Sequence, residues 1–367
     1  MEIALETYKS GEYEPGNQYK AFLPSLINKP WIISDSEINS LLEAAALNLG
    51  ALNAMSKIVP DTRMFMKMLV TKEAVRSSRI EGTQTSFDEA LLPEAEIASD
   101  RWQDWQEVNN YTKALQKAAL DIDKKPISTR LFKATHSILM SGVRGQHKMP
   151  GEYRKSQNWI GGRSINEAVF VPPLPFRVEN LMGDLENFLH NKNIYLPSLL
   201  RIAIAHYQFE TIHPFLDGNG RIGRLIIPLY LVDQGLLTHP ILYLSAFFEN
   251  DRELYYKSLT RVRTHNDLKG WIKYFLIGVR ETSIDAMNTL EAILNLKREL
   301  EYRIKTEFGR RKGTGLMLLS SLFTHQWIDI DSAAKACGTS YATANKLVAL
   351  MCNYGILREV TGHSRNR

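Results

Sequence analysis

Only two cysteines occur in 367 residues, Cys337 and Cys352, with neither Cys-x-x-Cys spacing nor paired histidines nearby. That argues against a zinc site or a disulfide framework and fits two buried thiols in a reducing compartment. A strong charge bias is missing too. Lys+Arg of 45 against Asp+Glu of 40 leaves +5, too mild to point to nucleic acid unless the charge is concentrated somewhere. The first sixteen residues hold no basic segment followed by an apolar run, and the longest apolar stretch, Leu225 to Val232, is short and interrupted by Pro228. Neither a secretory leader nor a membrane span is expected, so the expectation is a cytoplasmic protein with no membrane partner. With 44% hydrophobic residues, the chain reads as an ordinary globular protein of two or three domains.

What is present is concentrated in one stretch, His213-Pro-Phe-Leu-Asp-Gly-Asn-Gly-Arg-Ile-Gly-Arg224, lying between two apolar helical runs. Pro214 biases the preceding residue away from the α region, so the first helix should end near His213. Gly218, Asn219 and Gly220 can take positive φ and are expected to turn successive N–H groups onto one point, an anion-binding nest. A helix beginning near Arg221 adds the positive end of its dipole, with Arg221 and Arg224 on one face at i and i+3. Two guanidiniums and a nest suit a polyphosphate. Asp217 is then placed to help hold Mg²⁺, which is commonly bound by one or two carboxylates and phosphate oxygens. His213 is left free to act as a base.

These residues match the Fic motif, H-P-F-x-[D/E]-G-N-G-R-x-x-R, at every defined position, and the chain resembles that family from roughly Tyr19 to the C-terminus. The resemblance implies a protein adenylyltransferase that moves AMP from ATP to a Ser, Thr or Tyr hydroxyl of a target protein. In that reading His213 is the base and Asp217 the Mg²⁺ ligand. The Gly218, Asn219, Gly220 loop and Arg221 hold the α- and β-phosphates, Arg224 grips the γ-phosphate, and Phe215 is a core anchor. The intact Gly-Asn-Gly-Arg loop favours AMP over the phosphate or phosphocholine that some members transfer.

Upstream, an apolar helical stripe with Met64, Phe65, Met68, Leu69 and Val70 should end at Glu81-Gly82, Gly82 serving as a left-handed C-cap. A carboxylate in a last turn meets the negative end of the helix dipole, so Glu81 is poorly placed for stability alone. Ser77-x-x-x-Glu81-Gly82 matches the [S/T]-x-x-x-E-[G/N] inhibitory motif that one class of Fic proteins carries N-terminal to the core. The implied role is autoinhibition, with Glu81 occupying Arg224.

In chain order, residues 1–34 are rich in turn formers and read as an extended arm. A helix follows from Ser36 to about Val59, N-capped by Ser34 or Asp35, then helices over 102–120 and 128–139, with Ser128 as N-cap. His136 sits among apolar positions and reads as a satisfied core histidine. Residues 158–173 suggest a β-hairpin or, alternatively, a surface loop. In the family this is the flap that aligns a target backbone by strand addition. Leu225 to Gly235 should be a buried central helix. Residues 244–256 resemble the segment closing over adenosine, where Tyr255 and Tyr256 would stack on the base or simply pack.

From about Gly313, helices at 316–323, 332–337 and 341–353 give a winged helix-turn-helix pattern, or else a helical docking module. The first would offer Ser340, Tyr341, Thr343, Asn345 and Lys346 to duplex DNA. The tail His363-Ser-Arg-Asn-Arg367 adds basic charge, and the chain stops where a winged helix has its last strand, so the wing is expected to be truncated or incomplete. The fold class expected is therefore mainly α. It comprises an N-terminal arm and helical region (1–110), a Fic core with a small β-hairpin flap (111–300) and a winged-helix domain (301–367). ATP and Mg²⁺ are the cofactors implied. The partners are a hydroxyl-bearing target, with self-modification, a homodimer and duplex DNA as further options. The rival reading is a DNA-binding regulator whose Fic domain senses nucleotide without transferring it.

Overall fold

The computed structural model describes residues 2–58, 62–122, 124–324 and 327–360. The tail His363–Arg367 and the side chains of Met64 and Phe65 lie outside the described set. The arm is more ordered than an extended strap. β1 (Ile3–Ala4) pairs in parallel with β4 (Trp31–Ile32), and between them β2 (Gly11–Pro15) and β3 (Lys20–Pro24) form an antiparallel hairpin with Gly11 opposite Pro24 and Pro15 opposite Lys20. Ser10 donates to the Asn266 side chain, and the Gln208 side chain donates to the Ser25 carbonyl, which fastens the arm onto the helices.

The remainder is helical. α1 (Ser36–Ile58) begins where Asp35 accepts from the Ile38 N–H at 2.8 Å, as expected of an N-cap, and packs along the 40-residue α11 (Leu268–Glu307). α2 (Thr62–Ile80) is followed by α3 (Phe87–Leu91), which opens with a Ser86–Glu89 capping box. α4 (Trp102–Ile122) and α5 (Thr129–Leu139, N-capped by Ser128) pack together, and α6 (Val178–His190) packs on α7 (Ser198–Ile212). α8 (Asn219–Asp233) is the buried central helix, beginning six residues before the apolar run that marked it in the sequence. α9 (Ser245–Asn250) and α10 (Arg252–His265) complete the layer against α11.

α7 is buried on every side from Leu199 to Ile212, so its sequence reads apolar throughout rather than striped. With α8 it forms the centre of one hydrophobic cluster running from Leu5 to Leu290. The boundary expected at residue 110 therefore falls inside α4, with one shared core on both sides of it. The flap narrows to a single antiparallel bridge, Ile160 with Phe170, and one bond from the Phe22 N–H to the Val171 carbonyl ties it to β3. Among the described residues the true hairpin is in the arm.

A second, smaller cluster joins the end of α11 to α12 (Lys312–Thr324), α13 (Ile330–Cys337) and α14 (Tyr341–Asn353). Gly338, left-handed at φ 59°, ends α13, and Ser340 caps α14 by accepting from the Thr343 N–H. The helices lie where the sequence put them, but among the described residues no strand of a wing follows α14. No described helix is long and apolar enough to cross a membrane.

Candidate active site

α7 stops at Pro214, and His213 caps it in the left-handed region, φ 52° and ψ 58°, with its N–H bonded to the Phe209 carbonyl. A non-glycine residue there costs about 1–2 kcal/mol, so something must hold it. Arg154 donates from Nε to the His213 carbonyl at 2.9 Å, while its own backbone N–H reaches the Pro214 carbonyl at 2.9 Å. Asn219 folds its amide back across the loop, accepting from the Phe215 N–H and donating to the Phe215 carbonyl, both at 2.8 Å. Asn158 donates to the same carbonyl.

The expected run of positive φ from Gly218 to Gly220 is not formed. Gly218 alone is left-handed (φ 74°), and α8 starts at Asn219. The N–H groups of Asn219, Gly220 and Arg221 instead precede the first intrahelical bond, from the Ile222 N–H to the Gly218 carbonyl. The candidate anion cradle is thus a helix N-terminus rather than a chain of glycine-driven turns. Gly220 instead lies close against the Glu81–Arg224 pair. A Cβ there would meet Glu81 Oε1 at 2.4 Å and Arg224 Nη1 at 2.8 Å.

Neither arginine of the motif is unpaired. Arg221, 4% exposed, donates to Glu107 of α4 at 3.0 Å and lies 3.7 Å from Asp217. Glu107 is shared with Arg144. Arg224, 2% exposed, donates from Nε to Ser77 Oγ at 2.9 Å, and from Nη2 to the Ser77 carbonyl at 2.9 Å and to Glu81 Oε1 at 2.6 Å. The upstream motif and the cradle therefore meet through one guanidinium. Burial works against the Glu81 charge, yet Arg224 outweighs it and holds the carboxyl below its usual range. Gly82, at φ 103°, ends the hydrogen-bonded turn that aims Glu81.

α2 is pinned by further bonds. Glu73 accepts from Tyr111 and Ser245, and Arg76 and Arg79 pair with Glu249. Burial pushes the Glu73 carboxyl up to about 7. The Nδ1 of His213 faces the Glu210 carbonyl at 3.4 Å, which leaves Nε2 free. Burial and the neighbouring Arg154 push this imidazole down to about 4, so it is neutral at physiological pH. His136 is a satisfied core histidine, as read. Its Nδ1 accepts from the Gly151 N–H, so its Nε2–H donates to the Asp217 carbonyl at 3.0 Å, and its ring stacks on Phe215 at 3.8 Å.

Asp217 keeps its carboxylate nearly half exposed at the mouth of the loop, with Oδ1 accepting from the Gly218 N–H at 2.6 Å. Among the described residues no cluster of three or more His, Cys, Asp or Glu side chains could hold a metal ion. That donor set fits a cation held mostly by substrate oxygens rather than by a protein cage. Tyr255 and Tyr256 part company. Tyr255 is 1% exposed, stacked on Phe248, and donates to His206 Nε2, because the other nitrogen of that ring donates to the Gly223 carbonyl. Tyr256 is half-buried, with the Arg252 guanidinium over its ring.

Two family models match, the Fic/DOC family N-terminal region over residues 39–120 and the Fic/DOC family over 126–231, together just over half the chain. A probable protein adenylyltransferase of Aquifex aeolicus is 33% identical over 178 residues, which is 47% of this chain and 51% of that one. The protein adenylyltransferase Fic of Aedes aegypti is 30% identical over 136 residues, 37% of this chain and 24% of its own length. The chain thus spans about half the length of the first relative and a quarter of the second. A Fic family protein from Desulfovibrio desulfuricans has the same fold, with a TM-score of 0.60 at 21% identity over 89% of this chain and 92% of that one. Fic-1 of C. elegans superposes with a TM-score of 0.54 at 18% identity, over 70% of this chain and 74% of that one. With its motif loop folded on a helix N-terminus and both family models matched, the chain belongs to the Fic/DOC family.

Proposed function

We propose that the protein transfers AMP from ATP to a hydroxyl of a protein target, its own chain included, and that Glu81 restrains the reaction. The observation that carries this reading is the meeting of a neutral imidazole with a free Nε2 and a helix N-terminus flanked by two buried guanidiniums, on one loop of twelve residues. The hydroxyl oxygen of the target bonds to the α-phosphorus and the bond from that phosphorus to the α–β bridging oxygen breaks, so pyrophosphate leaves. His213 Nε2 takes the hydroxyl proton. The open N–H groups at the start of α8 and the Arg221 guanidinium stabilise charge gathering on the α- and β-phosphates, and Arg224 takes the γ-phosphate once Glu81 releases it. Asn219 contributes by shaping the loop, because its amide is spent on Phe215.

Asp217 is the residue that would hold Mg²⁺, which when bound neutralises phosphate charge. Tyr256 is the better of the two tyrosines for contact with the base, since Tyr255 is closed into the core. The test uses ATP labelled at either end. Label on the α-phosphate is expected to become covalently attached to protein, and label on the γ-phosphate is not. Attachment of the γ-label would replace this reading with phosphoryl transfer, and attachment of neither under all conditions would favour a nucleotide sensor.

A second function is supported by the exposure of α14. Ser340, Tyr341, Thr343, Asn345 and Lys346 all face solvent on a helix that follows a glycine-ended turn, the arrangement of a DNA-reading helix. Lys346 and Arg358 are exposed, and Arg365 and Arg367 lie outside the described residues. If all four meet phosphates, duplex binding should tighten about a hundredfold between 200 and 50 mM salt, by counterion release at about 0.9 per phosphate. Fluorescence anisotropy with a mixed-sequence duplex measures this. No binding at 50 mM salt leaves the module as a docking domain.

A further inference from the structure

Arg154 follows the segment Pro150-Gly-Glu-Tyr and is 2% exposed. Among the described residues it forms no ion pair with a carboxylate. Its guanidinium meets three carbonyls instead: His213 from Nε at 2.9 Å, Pro173 from Nη2 at 2.5 Å and Ile212 from Nη2 at 3.4 Å. Its Nη1 is buried with no partner. Burial pushes its pKa down to about 10. A buried cation matched only by carbonyl dipoles is expensive, and ordinary packing at this point would be better served by an apolar side chain.

The three carbonyls belong to two different parts of the site. Ile212 and His213 form the strained end of α7, and Pro173 is the exit of the flap, three residues past the Ile160–Phe170 bridge. The neighbours of Arg154 repeat the stitch. Gln157 donates to the Pro172 carbonyl and Asn158 to the Phe215 carbonyl. On its outer side the flap presents Trp159, 42% exposed, and Val169, 72% exposed. We propose that Arg154 is a positioning residue for the transfer reaction, joining the flap and the His213 backbone into one rigid unit. A target backbone laid against the flap is then delivered at a fixed distance from Nε2.

The inference rests on the transfer reading above. Its physical content is that the left-handed His213 is held by a planar fork whose Nε and Nη2 reach two segments at once. A lysine, with a single nitrogen on a flexible stem, cannot reproduce that fork. Three charged side chains act on the imidazole, Arg154, Glu81 beyond the end of α2 and Arg263 of α10, and the backbone carbonyl of Glu210 faces its Nδ1. Arg154 and Arg263 disfavour its protonation, whereas Glu81 favours it.

Two substitutions in the Glu81→Gly background separate geometry from charge. Arg154→Lys keeps the charge and loses the fork. It is expected to lower kcat about thirtyfold to a hundredfold with ATP Kd within about twofold, because a displacement of about 1 Å costs on that order. Arg154→Met loses both, and in addition the acid limb of its kcat/KM profile should move to higher pH as the imidazole regains basicity. An NMR titration of His213 needs no turnover. Its ring signals should shift in both variants, and its pKa should rise in Arg154→Met only. A folded Arg154→Lys, checked by thermal unfolding, with kcat within about threefold of the parent and unshifted His213 signals overturns the proposal. If Arg154→Met does not fold, the lysine variant decides. A silent Glu81→Gly parent counts against the transfer reading alone, and the NMR result still judges Arg154.

Discussion

Glu81→Gly is expected to raise α-label transfer, to itself and to targets, at least about tenfold over the wild type, which corresponds to about 1.4 kcal/mol of barrier. The proposed restraint is a charge-assisted bond of 2.6 Å between Glu81 Oε1 and Arg224 Nη2, with the Arg224 side chain only 1% exposed and that of Glu81 31% exposed. Bonds to charged groups contribute about 1.5–3 kcal/mol, and the carboxylate's partial exposure argues for the lower end. Two effects combine. Arg224 is withheld from the γ-phosphate, and the carboxylate lies against Gly220, where an added Cβ would meet its Oε1 at 2.4 Å. A triphosphate entering the cradle would therefore meet a negative charge at the helix N-terminus and settle out of line.

Glu81→Asp should release the restraint partly, since the shorter side chain can no longer make the same bond. Ser77→Ala should do less, because the Ser77 carbonyl still accepts from Arg224 Nη2. Arg224→Ala is expected to stay silent even in the Glu81→Gly background, its γ-phosphate partner gone. Equal labelling by wild type and Glu81→Gly over a range of ATP concentrations would sink the autoinhibition.

The motif loop and the upstream glutamate were legible because both are written in contiguous residues whose chemistry is local. Pro214 ends a helix, Gly82 and Gly338 end others, and Asp35, Ser128 and Ser340 cap as their residue types predict. The residues that complete the site carry no such signature. Glu107 sits in an ordinary amphipathic helix and is paired with Arg221 only by the packing of α4 on α8. Arg154 and Asn158 lie in a loop whose partners are backbone carbonyls, most of them 57 to 59 residues away, and a carbonyl leaves no mark in the sequence. Gly220, expected to take a positive φ, is helical instead and lies where Glu81 approaches closely. The flap was open between a hairpin and a surface loop because apolar runs around a glycine-containing turn suit either, and only one pair of residues forms a bridge.

His213→Ala should reduce transfer about a thousandfold in the Glu81→Gly background while leaving ATP affinity within a few-fold. General base catalysis contributes about 10²–10⁴-fold, and the imidazole faces the incoming hydroxyl rather than the phosphates. The structure adds a pH signature. Burial and Arg154 hold the imidazole at about 4 in the free protein, well below an ordinary histidine. The base form is therefore complete at neutral pH, and kcat/KM should stay level from pH 8 down to about 5, falling only as protonation begins below that. The low basicity has a cost, because a weaker base accepts the proton less readily. Bound triphosphate offsets part of it by bringing negative charge beside the ring, which favours the imidazolium as the hydroxyl proton arrives. The limb seen in kcat should consequently lie at higher pH than the limb in kcat/KM, since the first reports the nucleotide-bound protein and the second the free one. In His213→Ala the residual rate should lose the acid limb altogether. Calorimetry with ATP, together with α-label transfer from pH 4.5 to 8, checks all of this. Near-normal labelling by His213→Ala, or an acid limb in the parent near 6.5 for kcat/KM, would remove the half-buried, neutral His213 from the mechanism.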